Sequence, residues 1–108
     1  MSGTLLQLNF TFHVSASEYE QAVAALADQF AALDGLRWKI WMINPAEQEA
    51  GGIYLFDDAT SVRAFLEGSL AAQVRSHPAL SDFRVKQFDV MEDLTSITRG
   101  PITERAAA

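Results

Sequence analysis

Asn9 and Gln7 are the first residues whose types could do chemistry. They stand two apart in residues 5–13 (LLQLNFTFH), where Leu6, Leu8, Phe10 and Phe12 alternate with Leu5, Gln7, Asn9, Thr11 and His13. That period of two is a strand with one fully apolar face, and it puts both amides on the other face. There they could hydrogen-bond a ligand carbonyl or phenolate. They could equally bond across an interface or to water, since buried polar groups nearly always find a partner. His13 closes the run and His77 precedes Pro78. Either imidazole could act as a base near neutral pH, and either could simply be exposed or capping.

Aromatic residues supply the second set of candidates. By parity within residues 36–43 (LRWKIWMI), Trp41 joins Lys39 and Ile43 on the amide-bearing face. It could stack on an aromatic ligand there or serve an interface, where Trp is enriched. Trp38 has the opposite parity and reads as core; it is kept among the candidate binding residues. In residues 52–56 (GIYLF), the preferred register turns Ile53 and Leu55 toward the helices and leaves Tyr54 and Phe56 on the open face. Sequence does not fix that register. Tyr54 is then a candidate donor to a ligand oxygen, or else a core tyrosine with its hydroxyl at the rim. Gly51-Gly52 permits a bulge or a close backbone approach. No pair of His, Asp or Glu has metal-ligand spacing, so no metal site is expected.

The elements that must position these residues follow from periodicity and stop signals. Ser17-Glu18-Tyr19-Glu20 reads as a capping box. Tyr19, Val23, Leu26, Phe30 and Leu33 then recur at helical spacing until Asp34-Gly35. Strand two, residues 36–43, turns at Asn44-Pro45 into strand three, residues 52–56. Asp57 or Asp58 caps a second helix with Val62, Phe65, Leu66, Leu70 and Val74 as its stripe. Gly68 inside it predicts a kink or a break into two short helices. Strand four, residues 83–90, alternates imperfectly, which predicts a bulge or an edge position.

The order is β-α-β-β-α-β, an α+β, ferredoxin-like arrangement with an antiparallel sheet. The helices are expected over Leu6, Leu8, Phe10, Phe12, Trp38, Ile40 and Met42. The opposite face stays open, and a face carrying a Trp should meet something, which makes a homodimer the expected assembly. The 108 residues fit one domain, 1–108, with a tail over about 94–108.

Composition narrows the partners. The formal charge is −6, from 14 acids against 8 bases with no basic run, which argues against nucleic acid and against an anionic membrane. The chain has no cysteine, so disulfides and thiolate catalysis are excluded. No apolar run approaches the ~20 residues of a membrane span, no signal peptide is read at the start, and the cytoplasm is the expected compartment.

Four segments carry a family resemblance: LLQLNF at residues 5–10, WKIW at 38–41, EAGGIYLF at 49–56 and LTSITRGP at 94–101. In this order and spacing they resemble the YdhR-like family, labelled monooxygenases, within the dimeric α+β barrel superfamily. The resemblance implies two ferredoxin-like protomers packed sheet to sheet. It also implies a pocket either between sheet and helices or within the barrel. Related members oxidise phenolic polyketides to quinones without metal or flavin. On that footing the expected function is cofactor-independent monooxygenation of a small aromatic or phenolic substrate. Trp41, Tyr54 and Phe56 would form its wall, Asn9 and Gln7 would hold its oxygen, and His13 would be its base. The position of Asn9 is often His in relatives, so a base there would be lost in this chain. The same fold also resembles haem degraders with Asn on strand one, Trp on strand three and His on helix two; here Asn9 and His77 match, but Tyr54 and Phe56 stand in place of the Trp. A non-catalytic dimer that holds a small apolar ligand is the other expectation. The segment LTSITRGP is expected to pack on the partner protomer.

Overall fold

The computed structural model describes residues 3–102. Strand β1 (Thr4–Phe12) leads into helices α1 (Ala16–Ala24) and α2 (Ala27–Ala31). Strand β2 (Leu36–Asn44) follows, then a 3-10 turn (Pro45–Glu47) and strand β3 (Glu49–Phe56). Helices α3 (Ala59–Glu67) and α4 (Ser69–Arg75), strand β4 (Leu80–Asp89) and helix α5 (Glu92–Ile97) complete the described elements. The sheet order is β2-β3-β1-β4, all neighbours antiparallel, and α1–α4 cover one face. This is the ferredoxin-like α+β fold read from the element order.

Local chemistry explains most boundaries. The capping box is real but starts two residues earlier than expected. Ser15 Oγ accepts from Glu18 N–H, and Glu18 Oε1 accepts from Ser15 N–H. Both Ser15 and Ser17 are followed three residues on by Glu, and starting at Ser15 lets Tyr19 stack on Phe12 at 5.1 Å. Gly68 breaks the second helix as expected: its extended backbone ends α3 and starts α4. Strand β4 is an edge strand, and it begins at Leu80 rather than at residue 83. Its register slips opposite Asn9–Thr11, with Asp82 in the left-handed region.

The faces of the sheet are where expectation and structure part. Directly opposed residues share a face. Leu6 opposes Tyr54, which opposes Lys39; Leu8 opposes Gly52, which opposes Trp41. Leu6, Leu8, Phe10 and Phe12 lie under the helices, as their alternation requires. Tyr54, Phe56, Lys39 and Trp41 join them, whereas Trp38, Ile40 and Met42 share the open face with Gln7, Asn9 and Ile53. The parity expected for β2 and β3 is therefore inverted. A bulge between Leu36 and Trp38 is the cause for β2, because one extra residue moves every later side chain to the other face.

Long-range partners hold that bulge. Arg37 Nε donates to Asp57 Oδ1 at 2.8 Å, and Arg37 Nη1 donates to the Ile102 carbonyl at 2.9 Å. The Trp38 indole N–H donates to the Pro101 carbonyl at 2.8 Å. The end of the LTSITRGP segment is thus tied to β2 of its own chain.

Candidate active site

Between the sheet and the helices lies a cavity of about 190 Å³. The sheet contributes Leu8, Phe10, Lys39, Trp41 and Tyr54 to its wall. The helices contribute Tyr19, Val23, Phe30, Gln73 and Val74, Leu26 comes from the turn between α1 and α2, and His77 stands just after α4. Phe30 anchors the aromatic part, with its ring centroid 5.2 Å from Trp41, 6.2 Å from Tyr54 and 5.9 Å from Phe65.

Lys39 is the residue that the sequence reading placed on the wrong side. Its Nζ stands 3.3 Å from the Trp41 ring centroid, 3.6 Å from Phe30 and 4.7 Å from Tyr54. The ring faces attract the ammonium. Among the described residues no carboxylate pairs with it; Asp57 and Glu49 are taken by Arg37 and Arg84. Burial without an acid partner lowers its pKa to about 7. The amine can therefore gain or lose a proton near neutrality.

Gly52 makes room for this arm. A Cβ at Gly52 would stand 2.7 Å from Lys39 Cε and 3.2 Å from the Ile40 carbonyl. At Gly51 a Cβ would run into the backbone carbonyl of Leu8, so the close approach expected of the glycine pair is present at β1.

Two phenols share the cavity. Burial raises the Tyr54 pKa, with the neighbouring Tyr19 adding to the shift, and burial pushes Tyr19 up to about 12. Both stay protonated and able to donate at neutral pH. Tyr54 is 1% exposed, and among the described residues no hydrogen bond reaches its hydroxyl. His77 Nδ1 accepts from Ala79 N–H at 3.1 Å, which leaves Nε2 as the protonated nitrogen of the neutral ring.

Of the residues expected to form a site, Trp41 and Tyr54 reach this cavity. Phe56 is fully buried beside Tyr54 and Phe65, behind the wall. Trp38 faces away from it. Gln7 and Asn9 lie on the open face in a polar chain: Gln7 Nε2 donates to Asn9 Oδ1, Asn9 Nδ2 donates to Glu49 Oε2, and Arg84 Nη2 donates to the same oxygen. His13 lies beyond the end of β1, with Nε2 2.6 Å from Ser81 Oγ. The structure does not bring Gln7, Asn9 or His13 to the cavity. Lys39, Tyr19 and Gln73 also line the cavity without having been candidates in the sequence, where only a lysine flanked by two Trp in WKIW hinted at the first of them.

An antiparallel sheet with helices on one face and an aromatic pocket between them defines the class by fold: a ferredoxin-like α+β protein. The family model described as "Putative mono-oxygenase ydhR" matches residues 5–101, and the chain belongs to that family. Among solved structures it is similar to SnoaB, a cofactor-independent oxygenase from Streptomyces nogalater. That match has 19% identity and a TM-score of 0.69 over 85% of this chain and 96% of the other. It is also similar to MhuD, a heme-degrader from Mycobacterium tuberculosis with two hemes bound in its active site. There the identity is 18% and the TM-score 0.59, over 81% of this chain and 95% of the other. The search among curated proteins found no match.

Proposed function

We propose that the protein is a cofactor-independent monooxygenase for a small phenolic substrate, with Lys39 as the base. The observation that carries this reading is a lysine with no acid beside it among the described residues, caged by rings inside an aromatic cavity. The cavity is a little larger than the about 150 Å³ that suits benzene, which favours a single ring.

The chemistry follows from charge. The neutral Lys39 amine accepts the proton of the phenolic hydroxyl, and the ammonium then pairs with the phenolate. Tyr54 donates a hydrogen bond to the phenolate oxygen. In a dry site these interactions hold an anion far better than water-exposed groups would. The phenolate is electron-rich and reduces oxygen directly. One oxygen atom enters the substrate as a carbonyl, and the other leaves as water with two substrate hydrogens. All four electrons come from the substrate.

An oxygen electrode tests this with a panel of single-ring phenols and hydroquinones. Saturable uptake above the protein-free rate is expected, rising with pH through about 7 as Lys39 loses its proton. No uptake across the panel would remove the oxygenase reading. A ligand then recovered unchanged would support the binding protein instead. The likeness to MhuD raises haem as a second ligand, but Asn9 turned away from a 190 Å³ cavity speaks against it. A haem titration without a Soret shift would dismiss it.

The assembly is proposed to be a homodimer through the open face. Ile40 is 54% exposed there and Phe88 46%, both on strands whose other face already has its helices. Ile40→Glu is expected to turn a sedimenting dimer into a monomer. A monomeric wild type would contradict this assembly.

A further inference from the structure

We propose that the Lys39 amine also captures small aromatic aldehydes in the cavity as an imine. The proposal rests on the cavity and its lysine, not on oxygen chemistry. The chain holds two lysines, and their surroundings differ sharply. Lys86 is exposed on edge strand β4 and opposes Gln7 on the open face. Lys39 lines the cavity with its Nζ against three rings, and among the described residues no acid stands by to hold a proton on it. An amine in that setting keeps a free lone pair, which is how a desolvated lysine becomes a nucleophile. Burial, which lowers its pKa to about 7, acts in the same direction.

The remaining polar groups at the cavity suit the steps. Tyr54 comes from β3, Tyr19 from α1, and His77 from just after α4; among the described residues the cavity wall carries no carboxylate. The Nζ lone pair attacks the carbonyl carbon and forms the C–N bond. The C=O π pair moves onto oxygen, which takes a proton from the amine. The hydroxyl then departs as water with the second amine proton, and C=N forms. Amine and aldehyde give imine and water, with no oxidant or reductant required. When protonated, the imine places its positive charge where the ammonium stood, inside the same ring cage. A cavity of about 190 Å³ admits one aromatic ring with its aldehyde carbon.

The test uses the full chain near neutral pH with benzaldehyde and sodium cyanoborohydride, read by intact mass and peptide mapping. One benzyl group per chain is expected, on Lys39, forming at least about tenfold faster than on Lys86. Denaturant should abolish that preference. Lys39→Arg should lose the fast label while Lys86 reacts at its original rate. Labelling of Lys86 or the N-terminal amine as fast as Lys39 would overturn the proposal. So would a preference for Lys39 that survives unfolding. Fast labelling without oxygen uptake would remove the oxygenase reading alone, and uptake without selective labelling would remove this inference alone.

Discussion

Replacing Lys39 with methionine is expected to make the protein more stable while removing its chemistry. Methionine matches the length of the arm and carries no charge into the ring cage. Trading a buried charge that has no acid partner among the described residues for an apolar side chain is expected to gain about 1–3 kcal/mol near pH 7. For a chain of this size that is roughly 5 °C in Tm per kcal/mol. The pH dependence identifies the cause. The Lys39 pKa is about 7 folded, against about 10.4 for a free lysine. Between these values the unfolded chain binds a proton that the folded chain does not, so wild-type stability rises with pH from about 7 toward about 10. The methionine variant should lack that rise. Above about 10 both proteins should weaken, because the unfolded tyrosines ionise there while Tyr19 and Tyr54 are held protonated by burial. Loss of the base should lower kcat by about 10²- to 10⁴-fold. A variant that is less stable would mean that Lys39 is a structural residue.

Tyr54→Phe is expected to separate function from folding in a different way. The ring is fully buried and packs on Phe30, Phe56 and Phe65, and phenylalanine keeps those contacts. The hydroxyl has no protein partner among the described residues, so its removal should change stability by less than about 1 kcal/mol. If it donates to the developing phenolate, its loss should reduce kcat by about 10²- to 10³-fold. KM should change little, because the bond strengthens as charge develops. Unchanged kcat would confine Tyr54 to the wall.

Much of the fold was legible in the chain because its signals are local. The alternation of β1, the glycine break at Gly68 and the turn at Asn44-Pro45 each depend on residues that are neighbours in sequence. The faces of β2 and β3 were not legible. Leu36 points inward, and plain alternation from it turns Trp38, Ile40 and Met42 inward too. The bulge at Arg37 and Trp38 reverses this, and its partners are Asp57, Pro101 and Ile102, distant in the chain. The place of Lys39 turned on the strand. A lysine in an alternating strand reads as a solvated residue, and only the reversed register turns Lys39 into the cavity. Asn9 and Gln7 were assigned to the correct face, but that face is not the one beside the cavity.

The most direct measurement is the absorption spectrum of a phenol bound by the wild type and by Lys39→Met. A phenol that is largely protonated in buffer near pH 7, such as 4-cyanophenol, absorbs at longer wavelength once ionised. A phenolate band on binding to the wild type, and binding without that band in the variant, is the expected result. A bound phenol that stays protonated in the wild type, or ionises equally in both proteins, would contradict Lys39 as the base and the cavity as its site.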